Sequence, residues 1–195
     1  MKTRALTVSL LALVAAGCGS QAATHTTTSR AVSRPAAQPA RLVAVVATTT
    51  PTRCTVDRLS LRLGAAGHAA GSTYRPIVFT NTGTTACTLR GYPGVSYVAP
   101  RTGAQVGAAA SRDTAIKVQT VTLAPGGHAA SLVQFVNYLN YPASSCAAKP
   151  VSGLRVYPPG STAAVYLGFA HVTKACSSHV HQLSVRAVLK GRTGQ

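Results

Sequence analysis

The chain has 195 residues, of which 19 are Lys or Arg and only two, Asp57 and Asp113, are acidic, so its formal net charge is +17. Charged residues make up 11% of the chain, against about a quarter in ordinary soluble domains, while 46% are hydrophobic. This balance excludes a disordered polyampholyte, because the chain can bury a core. It also disfavours enzymes that work through paired carboxylates.

Residues 1–17 predict a secretory signal peptide. Lys2 and Arg4 precede an apolar run over 5–16, and small residues lie directly before Cys18. A basic start, about 12 apolar residues and a small-residue exit are typical of a signal peptide, whereas a membrane span needs about 20. Because the exit resembles a bacterial lipobox, we expect Cys18 to be acylated and to anchor the protein on the extracytoplasmic face of the cell membrane. The alternative is ordinary cleavage and secretion.

Residues 18–53 predict a flexible tether that begins with the lipidated cysteine. The segment is rich in Thr, Ala and Pro, a composition typical of linkers, and its reach is roughly 30–35 Å. The apolar run Leu42–Ala47 does not fit this composition. It is either a strand added to the domain or an adhesive patch near the lipid.

Residues 54–190 predict a β-sandwich domain, followed by a short tail over 191–195. Short segments alternate between apolar and polar residues and are separated by Gly- and Pro-containing turns. The predicted strands are Leu59–Leu63, Tyr74–Asn81, Cys87–Leu89, Val95–Val98, Ile116–Leu123, His128–Tyr138, Leu154–Tyr157, Ala163–Phe169 and Gln182–Leu189. Eight or nine short antiparallel strands without an amphipathic helix favour an all-β, Ig-like sandwich.

Four cysteines remain once Cys18 is set aside: Cys54, Cys87, Cys146 and Cys176. In an exported chain they predict two disulfides, for which three connectivities are possible. We favour pairing between sequence neighbours, which joins the first to the second and the third to the fourth. Structural zinc is disfavoured because the four are widely spaced and form no C-x-x-C pair.

The domain resembles an actinobacterial family of secreted proteins and lipoproteins known as domain-of-unknown-function family 4232. The resemblance covers nearly all of residues 54–190 and is carried most specifically by three motifs, Asn81-Thr82-Gly83, Cys87-Thr88-Leu89 and Gly91-Tyr92-Pro93-Gly94-Val95. It implies an exported protein, but it implies no catalytic residues. We expect no cofactor.

Three histidines, His171, His179 and His181, are candidate metal ligands, the last two being spaced to share one face of a strand. The chain offers few further ligands, so we favour solvent-facing histidines over a metal site. A Ser-His-Asp hydrolase is a weaker alternative, since no G-x-S-x-G motif is present. Several tyrosines, Tyr92, Tyr97, Tyr138, Tyr141 and Tyr157, would either form an exposed glycan platform or complete the edges of the core.

The sequence therefore favours an exported, lipid-anchored, non-catalytic binding or interaction module at the cell envelope. Its positive charge predicts contact with anionic wall polymers, with an envelope protein as the alternative partner. Nucleic acid is excluded as a physiological partner by export. A metal-handling domain that uses the three histidines is the alternative function. The oligomeric state is left open.

Overall fold

The computed structural model describes residues 50–195. The predicted signal peptide, Cys18, most of the predicted tether and the Leu42–Ala47 run lie outside the described residues. Within them the chain forms fourteen strands: β1 (Thr52–Arg53), β2 (Leu59–Leu63), β3 (Gly67–Ala69), β4 (Ser72–Asn81), β5 (Cys87–Arg90), β6 (Gly94–Val98), β7 (Gln105–Val106), β8 (Ser111–Asp113), β9 (Thr120–Leu123), β10 (His128–Val136), β11 (Ala148–Tyr157), β12 (Val165–Cys176), β13 (Leu183–Arg186) and β14 (Leu189–Lys190).

Helical structure is confined to single turns in residues 50–195. Two 3₁₀ turns span Val56–Arg58 and Tyr138–Asn140, and one short helix, α1, spans Ala143–Cys146. In this part of the chain, none of the helical segments has the length and apolar character required to cross a membrane.

The strands form three sheets. The largest has seven strands along the path β2-β4-β10-β13-β8, with β3 added to β4 and β14 added to β10. A four-stranded sheet has the order β12-β11-β6-β7, and a three-stranded sheet has the order β1-β5-β9. All three contribute to one core, in which Phe79, Leu89 and Leu154 are fully buried. The predicted all-β class is confirmed, whereas the Ig-like assignment stays a prediction.

Two details of the predicted sandwich are corrected. The strand count exceeds eight or nine because β1, β3, β7, β8 and β14 have only two or three residues each, too few to show an alternating pattern. Two pairings, β1 with β5 and β13 with β8, are parallel rather than antiparallel. The pairing of β1 also places Thr52 and Arg53, which were assigned to the tether, in a sheet of the domain.

Both favoured disulfides are present in the structure. Cys54 is joined to Cys87 and Cys146 to Cys176, with Cα–Cα separations of 4.9 and 4.4 Å. The first pair fixes the point at which the chain enters the core. The second ties α1 to the end of β12.

Candidate functional site

An open groove with a volume of about 740 Å³ lies at one end of the sandwich. The seven-stranded sheet contributes the β3–β4 hairpin and the end of β10, and the four-stranded sheet contributes side chains of β6 and β12. A volume of this size is typical of sites for small molecules, which occupy about 300–1,000 Å³.

The groove lies at the opposite end of β4 from the point where the chain enters the domain. Ser72 at the start of β4 lines the groove, whereas Asn81 ends the strand, about 30 Å away at the usual rise per residue. The Asn81 side chain donates to the carbonyl of Leu123 at 3.0 Å. Leu123 pairs with Cys87, which pairs in turn with Thr52 of β1. The groove and the entry of the chain at β1 therefore lie at opposite ends of the domain.

The floor of the groove is aromatic. The Tyr97 ring lies 6.2 Å from the Phe135 ring and 6.3 Å from the Phe169 ring, tilted by 57° and 71° respectively. Tyr97 is only 6% exposed. Burial, followed by the neighbouring Tyr141, raises the pKa of the Tyr97 hydroxyl above its ordinary value, so the hydroxyl remains a neutral donor.

The Tyr97 hydroxyl makes no hydrogen bond to another residue in the described part of the chain. Within residues 50–195, every side-chain nitrogen or oxygen atom that is fully buried has a hydrogen-bond partner. The small exposure of Tyr97 therefore includes its hydroxyl, and the residue lines the groove. The groove thus offers an unused donor beside an apolar surface.

A bulge in β12 shapes one wall of the groove. Where β11 pairs with β12, Ser152 alone lies opposite residues 169–172, so β12 carries extra residues at this point. Bulges turn side chains away from the regular alternation of a strand. Phe169 and His171 lie in this bulge and both line the groove. The Tyr166 hydroxyl donates to the Ser152 carbonyl at 3.0 Å and stabilises the same region.

The rim of the groove is cationic. Arg75 is held in place because its Nε and Nη2 atoms donate to the Gly64 carbonyl at 3.0 and 2.9 Å. Lys174 is exposed on β12, and His68 contacts the Thr73 hydroxyl through Nδ1 at 3.2 Å. Every lining residue is neutral or basic. The groove therefore favours anions over cations.

Gln182 fixes the segment that follows β12. It is 4% exposed, accepts from the Cys176 amide at 2.7 Å and donates to the Val136 carbonyl at 2.9 Å. Together with the Cys146–Cys176 disulfide, these bonds hold β12 against the end of β10. These contacts within the protein favour a preformed groove.

The three candidate metal ligands are not brought together. His171 lies in the bulge of β12, whereas His179 and His181 lie in the segment between β12 and β13 and not on a strand face. Among residues 50–195, no three His, Cys, Asp or Glu side chains are close enough to hold a metal ion. The sequence predicted a shared face because it placed both histidines near regular strands, but the chain turns after the Cys176 disulfide.

The hydrolase alternative requires an aspartate beside a serine and a histidine. Ser72 and His68 line the groove, but Asp57 and Asp113 are not among its lining residues. Asp113 is paired with Arg186 at 2.9 Å, and Asp57 lies 3.9 Å from Arg58 on the surface. The groove therefore does not assemble the Ser-His-Asp triad that the hydrolase alternative requires.

The tyrosines do not form an exposed platform. All five candidates are buried or half-buried, and Tyr92 packs under the Arg112 guanidinium at 5.4 Å. The structure thus favours the core-edge interpretation. Sequence reasoning did not identify the groove, because its aromatic floor combines residues from three strands that are distant in the sequence.

A second feature lies on the outer face of the seven-stranded sheet, which we call the basic patch (Arg62, His128 and Arg192). Arg62 and Arg192 line a smaller cavity of about 300 Å³, and Arg192 donates to Nε2 of His128. Since a guanidinium only donates, Nδ1 of His128 carries the proton and donates to the Thr80 hydroxyl at 2.9 Å. Desolvation, followed by the charges of Arg192 and Arg62, lowers the pKa of His128.

Comparison with known proteins identifies the domain. A family model described as a domain of unknown function, DUF4232, matches residues 54–189. Searches of the curated proteins and of the solved structures found no match to the chain.

Proposed function

We propose that the chain, which belongs to the DUF4232 family, is a non-catalytic binding module of the cell envelope that holds anionic wall polymers. In this proposal the protein is exported, acylated at Cys18 and displayed on the extracytoplasmic face of the membrane. The observation that carries the proposal is the uncompensated positive charge of the domain.

Acidic side chains neutralise very little of that charge. Residues 50–195 contain fourteen Lys and Arg but only Asp57 and Asp113. Asp113 forms one close ion pair, with Arg186, and Asp57 forms a long, exposed contact. The domain therefore carries a formal +12 that attracts polyanions over about a Debye length, roughly 8–10 Å at physiological ionic strength.

Backbone carbonyls take the place of carboxylates as partners for several arginines. Arg53 donates to the Gly160 carbonyl at 2.8 Å, and Arg155 donates to the Gly103 carbonyl at 2.6 Å. A carbonyl carries only a partial charge, so each guanidinium is fixed in position but keeps its full charge. Such preordered guanidiniums match phosphate and carboxylate groups at a low entropic cost.

The basic patch is the best-defined contact surface for such a polymer. Desolvation, followed by the charges of its two arginines, disfavours a positive charge on His128 and lowers its pKa. A phosphate bound between Arg62 and Arg192 would relieve that repulsion. Binding of the polymer is therefore expected to raise the pKa of His128.

The proposed anchor agrees with the geometry of the domain. The chain enters at β1, where Thr52 pairs with Cys87, at the end of the sandwich away from the groove. A tether of about 35 residues gives roughly 30–35 Å of reach. The module would then extend from the membrane surface towards the wall.

The experiment is a pull-down of the oxidised full chain on isolated cell walls across a range of salt concentrations. The Arg62→Gln/Arg192→Gln variant is compared with Arg101→Gln/Lys117→Gln, which removes two exposed charges elsewhere. At about 150 mM salt we expect the patch variant to bind about three- to tenfold more weakly and the control variant to bind within about twofold of the parent.

The patch variant should also show a salt dependence that is shallower by about two units on a log–log plot. Equal losses in both variants, or binding no stronger than that of an unrelated protein of equal charge, would refute a specific polymer site. In that case a protein partner is the better hypothesis. The exposed edge strand β12, where Val172 is 60% exposed, would be the surface to test.

A further inference from the structure

The groove combines two kinds of chemistry that the proposed polymer contact does not use. Its floor is the cluster of Tyr97, Phe135 and Phe169, and its rim carries Arg75 and Lys174. A polyanion in solution would gain little from an aromatic floor. An apolar molecule without charge would gain little from a cationic rim.

The shape of the floor favours a flexible chain over a flat ring. Because the Phe135 and Phe169 rings are tilted by 57° and 71° to the Tyr97 ring, neither extends the plane of Tyr97 into a wider flat surface for a ring system. Two larger aliphatic residues, Val136 and Leu139, line the same groove, and Leu139 is 71% exposed. An alkyl chain can follow such a surface by dispersion contacts.

The polar groups of the groove suit an anionic headgroup at one end of such an alkyl chain. Arg75 is oriented by its two hydrogen bonds to the Gly64 carbonyl. Its Nη1 atom donates to no other residue within 50–195, so it is available to a ligand. The exposed ammonium of Lys174 adds a second positive charge. The Tyr97 hydroxyl adds one neutral donor next to the floor, suited to an ester or headgroup oxygen.

We propose that this groove binds a single-chain anionic amphiphile, with the anionic headgroup at Arg75 and Lys174 and the alkyl chain on Tyr97, Phe135 and Phe169. This inference goes beyond polymer binding and uses none of the basic-patch residues. Each proposal can therefore fail while the other holds.

The test uses calorimetry on the oxidised full chain carrying Cys18→Ser, so that no acyl chain of its own competes for the groove. The probe is octyl phosphate below its micelle concentration. Butyl phosphate tests the chain, phenyl phosphate tests a ring, and octyltrimethylammonium tests the sign of the charge. We expect octyl phosphate to bind about tenfold or more tightly than butyl phosphate, and octyltrimethylammonium not to bind.

Two variants and one control assign the site. Lys174→Gln and Tyr97→Phe should each weaken octyl phosphate binding about three- to tenfold, whereas Lys117→Gln, an exposed charge outside the groove, should change it less than twofold. Unchanged urea midpoints would show that both variants are folded.

Several results would overturn the proposal. Equal binding of octyl phosphate and octyltrimethylammonium would contradict the cationic rim. Equal binding of octyl and butyl phosphate, or tighter binding of phenyl phosphate, would contradict the alkyl chain. Equal losses of octyl phosphate binding in Lys174→Gln and Lys117→Gln would indicate non-specific electrostatic attraction to the whole domain. A dimer in sedimentation that Phe169→Ser dissociates would assign the groove to a second copy of the chain.

Discussion

Replacing Gln182 by Leu tests whether one buried amide holds the groove together. The side chain is 4% exposed and bridges Cys176 to Val136 through hydrogen bonds of 2.7 and 2.9 Å. Leucine has a similar volume, so the substitution removes the two bonds without leaving a large cavity. It does, however, leave polar backbone groups without partners.

The cost follows from the burial of those two groups. The amide of Cys176 belongs to a residue that is 2% exposed, so it can gain little from water, and an unpaired buried donor costs about 1–3 kcal/mol. The carbonyl of Val136 is on a half-buried residue and recovers part of its loss through hydration. We therefore expect Gln182→Leu to lower the free energy of unfolding by about 2–4 kcal/mol.

The assay is urea unfolding of the oxidised full chain, followed by far-ultraviolet circular dichroism. Gln119→Leu, a substitution at an exposed position, is the matched control and should change stability by less than about 0.5 kcal/mol. A loss below about 0.5 kcal/mol for Gln182→Leu would show that the bridge is replaced by water or is not formed. The inference that the groove is preformed would then lose its main support.

Two further predictions concern electrostatics and backbone crowding. Asp113 accepts a hydrogen bond from Arg186 at 2.9 Å, and this bond, together with a further hydrogen bond, lowers the pKa of Asp113. Because both side chains are about one-third exposed, Asp113→Asn should lower the free energy of unfolding by only about 0.5 kcal/mol at neutral pH. A depressed carboxyl pKa stabilises the fold above the unfolded value, so the difference between the two proteins should shrink as pH falls below 3.8, and a constant difference in pH-dependent denaturation would contradict the pairing. Gly194 and Gly126 have similar positive φ angles, 69° and 73°, but only at Gly194 would a Cβ meet backbone atoms, 2.6 Å from the nearest. Gly194→Ala should therefore lower the thermal midpoint clearly more than Gly126→Ala, and equal shifts would show that the tail does not pack on β10.

Strands were predictable from the sequence where a segment pairs along its whole length within one sheet. The alternating leucines of Leu59–Leu63 give the bounds of β2 without error, because one face is buried and the other is not. Ile116–Gln119 also alternates but is not part of a strand. The chain turns there after the Ala115 amide binds Asp113, and it crosses from β8 in the seven-stranded sheet to β9 in the three-stranded sheet.

Other boundaries depend on contacts that are distant in the sequence. The predicted strand Gln182–Leu189 is divided because the Val188 amide donates to the Gly91 carbonyl instead of to a neighbouring strand. Strand β12 continues past Phe169 to Cys176 although residues 170–174 are exposed and show no alternation. Pairing with β11 and the disulfide hold this segment extended, and neither contact is visible as a local pattern.

The scarcity of acids that is apparent in the sequence also bears on both proposed sites. In a chain with ordinary numbers of carboxylates, Arg75, Arg62 and Arg192 would have acidic neighbours to pair with. Here Arg75 bonds to the Gly64 carbonyl and Arg192 to a histidine, so both are positioned without being neutralised. A bias towards arginine over lysine can follow from genome composition alone. Such a bias does not explain why one arginine is held at the edge of an aromatic groove and another on a histidine, and the two proposed sites rest on this placement.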